Sequence, residues 1–280
     1  MKKIRLKNIL RKLKNYLLVE NAILHYDLND MPVFEEIEIE TLNRCNGTCD
    51  FCPVNANEPQ RVYHKMTKEL FQKIIQDLAE VNYKGKISLF SNNEPFLDER
   101  IIEFHKYAKS KLPNAHFSLY TNGSLLDKEK FMMIIPYLDE LHIDNYNDDR
   151  NVNPGLKEVY DYLNGNQELG RKVTFHMRLQ HEILTSRGGQ APNKKNAKAL
   201  RTKCLLPYRM MVIRPDGKIS LCCNDALGKY TLGDAVNNSI IAIWNSEEYR
   251  KIRSSMRKNG RKKLMLCCSC DTSTFPSKKK

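Results

Sequence analysis

Phe34-Glu35-Glu36-Ile37-Glu38-Ile39-Glu40-Thr41-Leu42-Asn43-Arg44-Cys45-Asn46-Gly47-Thr48-Cys49-Asp50-Phe51-Cys52-Pro53 is the stretch that decides the fold. Its first half alternates acidic and apolar residues with the period of two of a strand that buries one face. Its second half sets three cysteines at the spacing C-x3-C-x2-C in a short loop at the strand's end, with an aromatic residue before the last. Three thiolates from one loop can ligate three irons of a cubane and leave the fourth iron open. A structural zinc would require a fourth protein ligand, and its cysteines usually come as pairs of C-x2-C.

Outward from this loop, strand and helix patterns alternate. Thr67 is placed to cap a helix carrying Leu70, Phe71, Ile74, Ile75 and Leu78 on one face. Residues 86–90, 116–121, 140–144 and 172–179 read as further strands, with helices over 98–108, 127–135 and 156–163 between them. Such alternation predicts βα units around a parallel sheet. Five units are too few to close an eight-stranded barrel. The expected fold class is therefore α/β: a partial, open TIM-like βα barrel over 35–200, with its chemistry where strands end and loops begin. The cysteine triplet, Glu94, Asn122 and Asn145 all fall just after predicted strands. A linker rich in Gly, Pro, Asn and Lys (187–203) leads to a small domain over 201–280. There a hairpin turns at Pro215-Asp216-Gly217, a helix spans 239–257, and a cysteine-bearing tail follows.

The nine cysteines fall in three groups, at 45, 49 and 52, at 204, 222 and 223, and at 267, 268 and 270. A disulfide scaffold would spread its bridges along a short secreted chain, whereas tight triplets in a long chain without a secretory signal read as metal ligands. No window approaches the ~20 apolar residues of a membrane span. A cytoplasmic location is the expectation.

The net charge is +13. A basic amphipathic extension over 1–34 holds much of it, as Lys2, Lys3, Arg5, Lys7, Arg11, Lys12 and Lys14. Leu6, Ile9, Leu10, Leu13 and Leu17 recur at helical spacing among them. Such a helix can lie peripherally on an anionic membrane through residues 1–20, but packing against the main domain is the commoner fate and is the expectation. The charge suits an acidic partner. With no nucleic-acid module and no aromatics interleaved with the basic clusters, a nucleic acid is not expected. A zinc-dependent nucleic-acid-binding protein is the non-enzymatic alternative.

The cysteine loop resembles that of the radical S-adenosylmethionine (SAM) superfamily. By that resemblance Cys45, Cys49 and Cys52 hold a [4Fe-4S] cluster that cleaves SAM reductively to a 5′-deoxyadenosyl radical. Ser91-Asn92-Asn93-Glu94-Pro95 is similar to the family's Gly-Gly-Glu segment, with both glycines replaced, which would set Asn93 and Glu94 on the SAM amino group. Tyr120-Thr121-Asn122-Gly123 resembles the segment near the nucleoside. Phe51, Thr121, Asn122 and Asn145 complete the candidate cofactor-binding set.

Cys204, Gly217, Cys222 and Cys267-x2-Cys270 resemble the family's SPASM/Twitch appendage. Cysteines are too few for its two-cluster form, so one auxiliary [4Fe-4S] cluster is implied, on Cys204, Cys222, Cys267 and Cys270. Cys268 is left over or stands in for Cys267. Ser186-Arg187-Gly188-Gly189 and Ile243-Trp244-Asn245 are similar to members that dehydrogenate an aminocyclitol alcohol, which places Arg187 toward the substrate.

The implied activity is hydrogen abstraction from the alcohol carbon of a carbohydrate-like small molecule, by an oxidoreductase or an epimerase. Cys223 is the candidate hydrogen donor for epimerisation. Modification of a peptide substrate is the alternative chemistry. A flavodoxin or ferredoxin would supply electrons, and both are commonly acidic.

Overall fold

The computed structural model describes residues 2–56 and 61–274 and, within the first helix, the side chains of residue 10 and of residues from 13 onward. The first helix, α1 (Lys2–His25), precedes β1 (Glu36–Ile39), and a single helical turn, α2 (Pro53–Ala56), closes the cysteine loop. Then come α3 (Lys68–Glu80), β2 (Lys86–Ser88), α4 (Ile101–Lys111), β3 (His116–Thr121), α5 (Lys128–Ile134) and β4 (Glu140–Tyr146). They are followed by α6 (Lys157–Asn164), α7 (Gln167–Gly170) and β5 (Val173–Arg178). Past residue 200 lie α8 (Leu206–Arg209), β6 (Met210–Ile213), β7 (Ile219–Ser220), α9 (Ile240–Trp244) and α10 (Glu247–Asn259).

Seven strands form one unclosed sheet in the order β5-β4-β3-β2-β1-β6-β7, parallel except for the β6–β7 hairpin. The hairpin is not a separate layer. Glu36 to Ile39 pair in parallel with Met210 to Ile213, so the C-terminal segment extends the barrel sheet at its β1 edge.

Two faces of the sheet explain the alternating sequence. Ile37, Ile39, Ile87, Phe117, Leu119, Leu141 and Ile143 have no exposed surface and join one apolar cluster with the helices. On α3, Phe71, Ile74, Ile75 and Leu78 are fully buried, each contributing about 1.5–3 kcal/mol. The Thr67 hydroxyl accepts from the Leu70 N–H at 3.2 Å, and Phe71 stacks on Phe104 of α4 at 4.1 Å. The other face is polar and concave. Lys86 bridges Glu36 (3.8 Å) and Glu140 (3.6 Å), and Tyr120 stacks on His142 at 4.2 Å.

Two expectations are corrected here. The helix foreseen over 239–257 is two helices: α9 ends at Trp244, and the Ser246 hydroxyl, accepting from the Tyr249 N–H at 3.4 Å, starts α10. Nor does α1 pack through its leucine stripe. Among its described side chains Val19 and Ile23 are the buried ones, while Leu10, Leu13 and Leu17 are 55, 52 and 57% exposed. Leu6 and Ile9 lie outside the described side chains. The docked end is held by polar contacts with the C-terminal segment, where Arg257 donates to the Ile23 carbonyl at 3.0 Å and Tyr26 stacks on Tyr208 at 5.1 Å. Among the described residues, no helix is long and apolar enough to cross a membrane.

Candidate active site

At the C-terminal ends of β1 to β5 lies a cavity of about 480 Å³, within the size range of small-molecule sites. Cys45, Cys49 and Cys52 line one wall. Gly47 sits between two of the thiols: a Cβ there would stand 3.5 Å from Cys45 Sγ and 3.8 Å from Cys49 Sγ. The Gly47 N–H donates to Cys45 Sγ at 3.4 Å. Burial, reinforced by the neighbouring thiols and outweighing that hydrogen bond, pushes both Cys45 and Cys49 up to about 12. Sulfurs so disposed ionise only when a cation compensates them, as the irons of a cluster do. Phe51 packs on Tyr146 at 5.7 Å on the same wall.

Beside the thiols stands Glu94, which is 1% exposed. Its Oε1 accepts from Thr121 Oγ1 (2.8 Å) and the Phe96 N–H (3.1 Å), and its Oε2 from the Asn122 N–H (2.8 Å). Burial nevertheless outweighs these bonds and raises the carboxyl to about 7. A buried carboxylate short of a cation suits an ammonium group. Asn93 is different. Its Oδ1 accepts from the Ser91 N–H at 3.1 Å, and its buried Nδ2 has no partner. An orphaned donor matches a carboxylate better than the amino group expected from the motif.

The segment after β2 and the turn at 187–189 build another part of the cavity wall. Arg187 takes the left-handed region at φ 50° and donates to Asn92 Oδ1, while its Nε is buried without a partner. Gly188 follows at φ 63°, where a Cβ would come within 2.5 Å of Leu266 Cδ1. The Arg187 turn is thereby pressed onto the chain that carries Cys267.

Glu38 points to the concave face with its Oε2 occluded and unpartnered. Burial raises it to about 8 against the pull of Ser91 and Arg187. Cys223 stands behind this wall, not on the cavity surface. Its carbonyl accepts from Asn92 Nδ2 at 3.2 Å, and burial, with Glu38 nearby, pushes its thiol up.

A second group of thiols lies under the Arg187 turn. Cys204, Cys222, Cys267 and Cys270 are all buried, whereas Cys268 is exposed and its thiol turns back to the Met265 carbonyl at 3.0 Å. Burial raises Cys204, Cys222 and Cys267, and neighbouring thiols add to it: Cys270 at Cys204, Cys223, Cys204 and Cys267 at Cys222, and Cys204 and Cys270 at Cys267. The buried Arg261 side chain donates to the Cys270 carbonyl at 3.3 Å and offsets part of the rise at Cys204 and Cys267.

Four buried soft thiols are a donor set suited to an iron–sulfur cluster.

Residues 39–180 match the model of the radical SAM superfamily, and residues 204–271 match that of the SPASM iron–sulfur cluster-binding domain. The chain belongs to the radical SAM superfamily. An S-adenosyl-L-methionine-dependent 2-deoxy-scyllo-inosamine dehydrogenase from Niallia circulans is 26% identical over 243 residues, which is 85% of this chain and 93% of that protein. Among solved structures, BtrN in complex with AdoMet and 2-DOIA superposes with a TM-score of 0.74 at 23% identity, over 87% of this chain and 95% of that one. Native anSMEcpe with bound AdoMet gives 0.54 at 13% identity, over 84% and 88%. These likenesses show the shared fold.

As a radical SAM enzyme with a SPASM domain, the protein uses SAM and iron–sulfur clusters. The structure gathers Phe51, Asn93, Glu94, Thr121 and Asn122 around one cavity with the three thiols. It does not bring Asn145 there. β4 runs two residues further than the sequence suggested, so the alternation of its faces buries Asn145 on the helix side. There its side chain holds the following loop through Asn151 O and the Asn153 N–H, both at 2.9 Å. Asp144 and Tyr146, its neighbours on the strand, take the cavity positions. Asn92, Asp144 and Arg178, which line the cavity, were missed as site residues, as was Glu38 behind Arg187. The alternating acids of β1 carried a signal for Glu38, since a charge repeated on one strand face must meet water, a partner or a ligand.

Proposed function

We propose that this radical SAM enzyme removes a hydrogen atom from a hydroxyl-bearing carbon of a small polyol, of the sugar or aminocyclitol class. The observation that carries the reading is that Asn92 and Arg187 line one cavity with the three-thiol loop, with buried Glu38 adjoining Arg187. Similarity along 85% of the chain to a dehydrogenase whose substrate is an aminocyclitol supports it.

In this reading Cys45, Cys49 and Cys52 hold the cluster that binds SAM, Glu94 pairs with the SAM ammonium, and Asn93 Nδ2 donates to its carboxylate. When bound, SAM and the loop cluster supply an oxidant able to take hydrogen from an unactivated C–H, and an auxiliary cluster on the four buried thiols supplies an acceptor for a second electron.

The chain's own part is orientation and proton handling. Arg187, donating from Nη2 to Asn92 Oδ1 and with Nε unused, holds a substrate hydroxyl at the wall. Glu38 lies behind Ser91 and Arg187 and accepts the hydroxyl proton when the carbon is oxidised to the ketone. Burial raises it to about 8, so it accepts that proton only in its ionised form, which gains ground as pH rises toward 8. Cys223 lies next to Asn92, behind the cavity surface, and epimerisation by hydrogen return from its thiol is the second outcome.

Anaerobic turnover with polyols deuterated at single carbons tests the reading. Deuterium in 5′-deoxyadenosine from one carbinol position supports it. Its absence from every polyol and aminocyclitol, with SAM still cleaved, refutes the substrate class. Cys223→Ala then separates the outcomes: loss of an epimer with 5′-deoxyadenosine still formed assigns the thiol, and an unchanged ketone removes it from the chemistry.

A further inference from the structure

α1 lies before the family match, which begins at residue 39, and among its described side chains one face is exposed. One side of the helix is docked, through buried Val19 and Ile23, the Arg257 contact to the Ile23 carbonyl, and Lys203 on Glu20 at 2.6 Å. On the other side Leu10, Leu13, Leu17 and Leu24 are 55, 52, 57 and 63% exposed. At 3.6 residues per turn these four fall within an arc of about 60°, turned away from Val19 and Ile23. Single exposed leucines are ordinary; four aligned on one helix face are a surface.

Charge identifies what covers that surface. The chain carries seven basic residues between Lys2 and Lys14 and no acid before Glu20, and Glu20 is already paired with Lys203. A second copy of the helix laid face to face would bring two such segments together against their repulsion. A nucleic acid would satisfy the charges and leave the leucines in water. Aliphatic side chains on a segment this rich in basic residues match the boundary between anionic headgroups and acyl chains. We propose that α1 is an amphipathic anchor that rests its Leu10–Leu24 face on an anionic bilayer surface, while Val19 and Ile23 hold the enzyme to it.

The test is sedimentation of the full-length, cluster-loaded enzyme with vesicles of phosphatidylcholine alone or with about 30% phosphatidylglycerol. The native chain sediments with the anionic vesicles and is released as salt rises, and binds the zwitterionic ones weakly. Leu13→Glu/Leu17→Glu and Lys7→Glu/Lys14→Glu each lower the partition coefficient at least about tenfold. Leu13 and Leu17 are exposed, so the leucine variant keeps its thermal unfolding midpoint and its rate of SAM cleavage. Equal binding to both vesicle types, unchanged binding of the leucine variant, or no sedimentation overturns the proposal. So does a dimer in light scattering that Leu13→Glu/Leu17→Glu dissociates, which would assign the face to self-association.

Discussion

Replacing Glu94 by Gln separates the fold's need for this carboxylate from the cofactor's. A shift from the usual 4.5 to about 7 means that ionised Glu94 costs the folded chain about 3 kcal/mol at alkaline pH. Glutamine removes that cost. It introduces another, because all three groups facing the carboxylate donate: the Phe96 N–H, the Thr121 hydroxyl and the Asn122 N–H. Whichever way the amide is turned, its NH2 meets a backbone N–H, at about 1–3 kcal/mol.

The two effects oppose each other, and Glu94→Gln at pH 8 unfolds close to the native midpoint. Binding has no such compensation. A charge-assisted bond to an ammonium contributes about 1.5–3 kcal/mol, so the Kd for SAM rises about 10- to 150-fold. Equilibrium binding of SAM to the anaerobically reconstituted protein, beside a thermal melt, measures both quantities. The pH dependence adds a sign. Below about 7 the native carboxyl holds a proton and cannot pair with the ammonium, so native affinity falls toward that of the variant between pH 8 and 6. A variant that binds SAM within twofold of the native chain at pH 8, or a ratio that does not change with pH, refutes the reasoning.

Two further outcomes follow from the same contacts. Cys204→Ala, Cys222→Ala, Cys267→Ala or Cys270→Ala each lowers iron content from about eight toward about four per chain by anaerobic iron and sulfide analysis, while Cys268→Ala, at an exposed thiol, keeps about eight. Folded Glu38 keeps its proton up to about pH 8 where an unfolded glutamate loses it near 4.5, so native stability falls as pH rises through that window, by at most about 1.4 kcal/mol per unit. Glu38→Gln has no proton to lose, and its melting temperature gains on that of the native chain between pH 5 and 8 while ketone formation drops; parallel pH profiles would remove Glu38 from the buried site.

Much of the barrel was legible because its signals are local. The Thr67 cap, the apolar face of α3 and the strand alternations depend on a few neighbouring residues and appear where they were expected. Strand ends were less legible. Two extra residues in β4 moved Asn145 from the cavity to the core, because adjacent residues on a strand face opposite ways. The break between α9 and α10 hid behind a continuous apolar period, and the Ser246 cap outweighed it.

The leucines of α1 mislead for another reason. Helical spacing shows that a face exists, but whether anything covers it depends on what the rest of the chain brings alongside.

The sequence alone determined that three thiols share one loop at a strand's end, since a C-x3-C-x2-C spacing limits how far its sulfurs can part. It likewise marked Glu94 and Thr121-Asn122 by their place at strand ends. Tertiary structure alone decided that β6 lies against β1, that Arg187 comes near Glu38, and that Cys267 is buried like Cys204, Cys222 and Cys270 while Cys268 is exposed. Those pairings cross more than a hundred residues of chain or turn on which of two adjacent side chains is buried. Only packing, which excludes water from one neighbour and leaves it to the other, settles such choices.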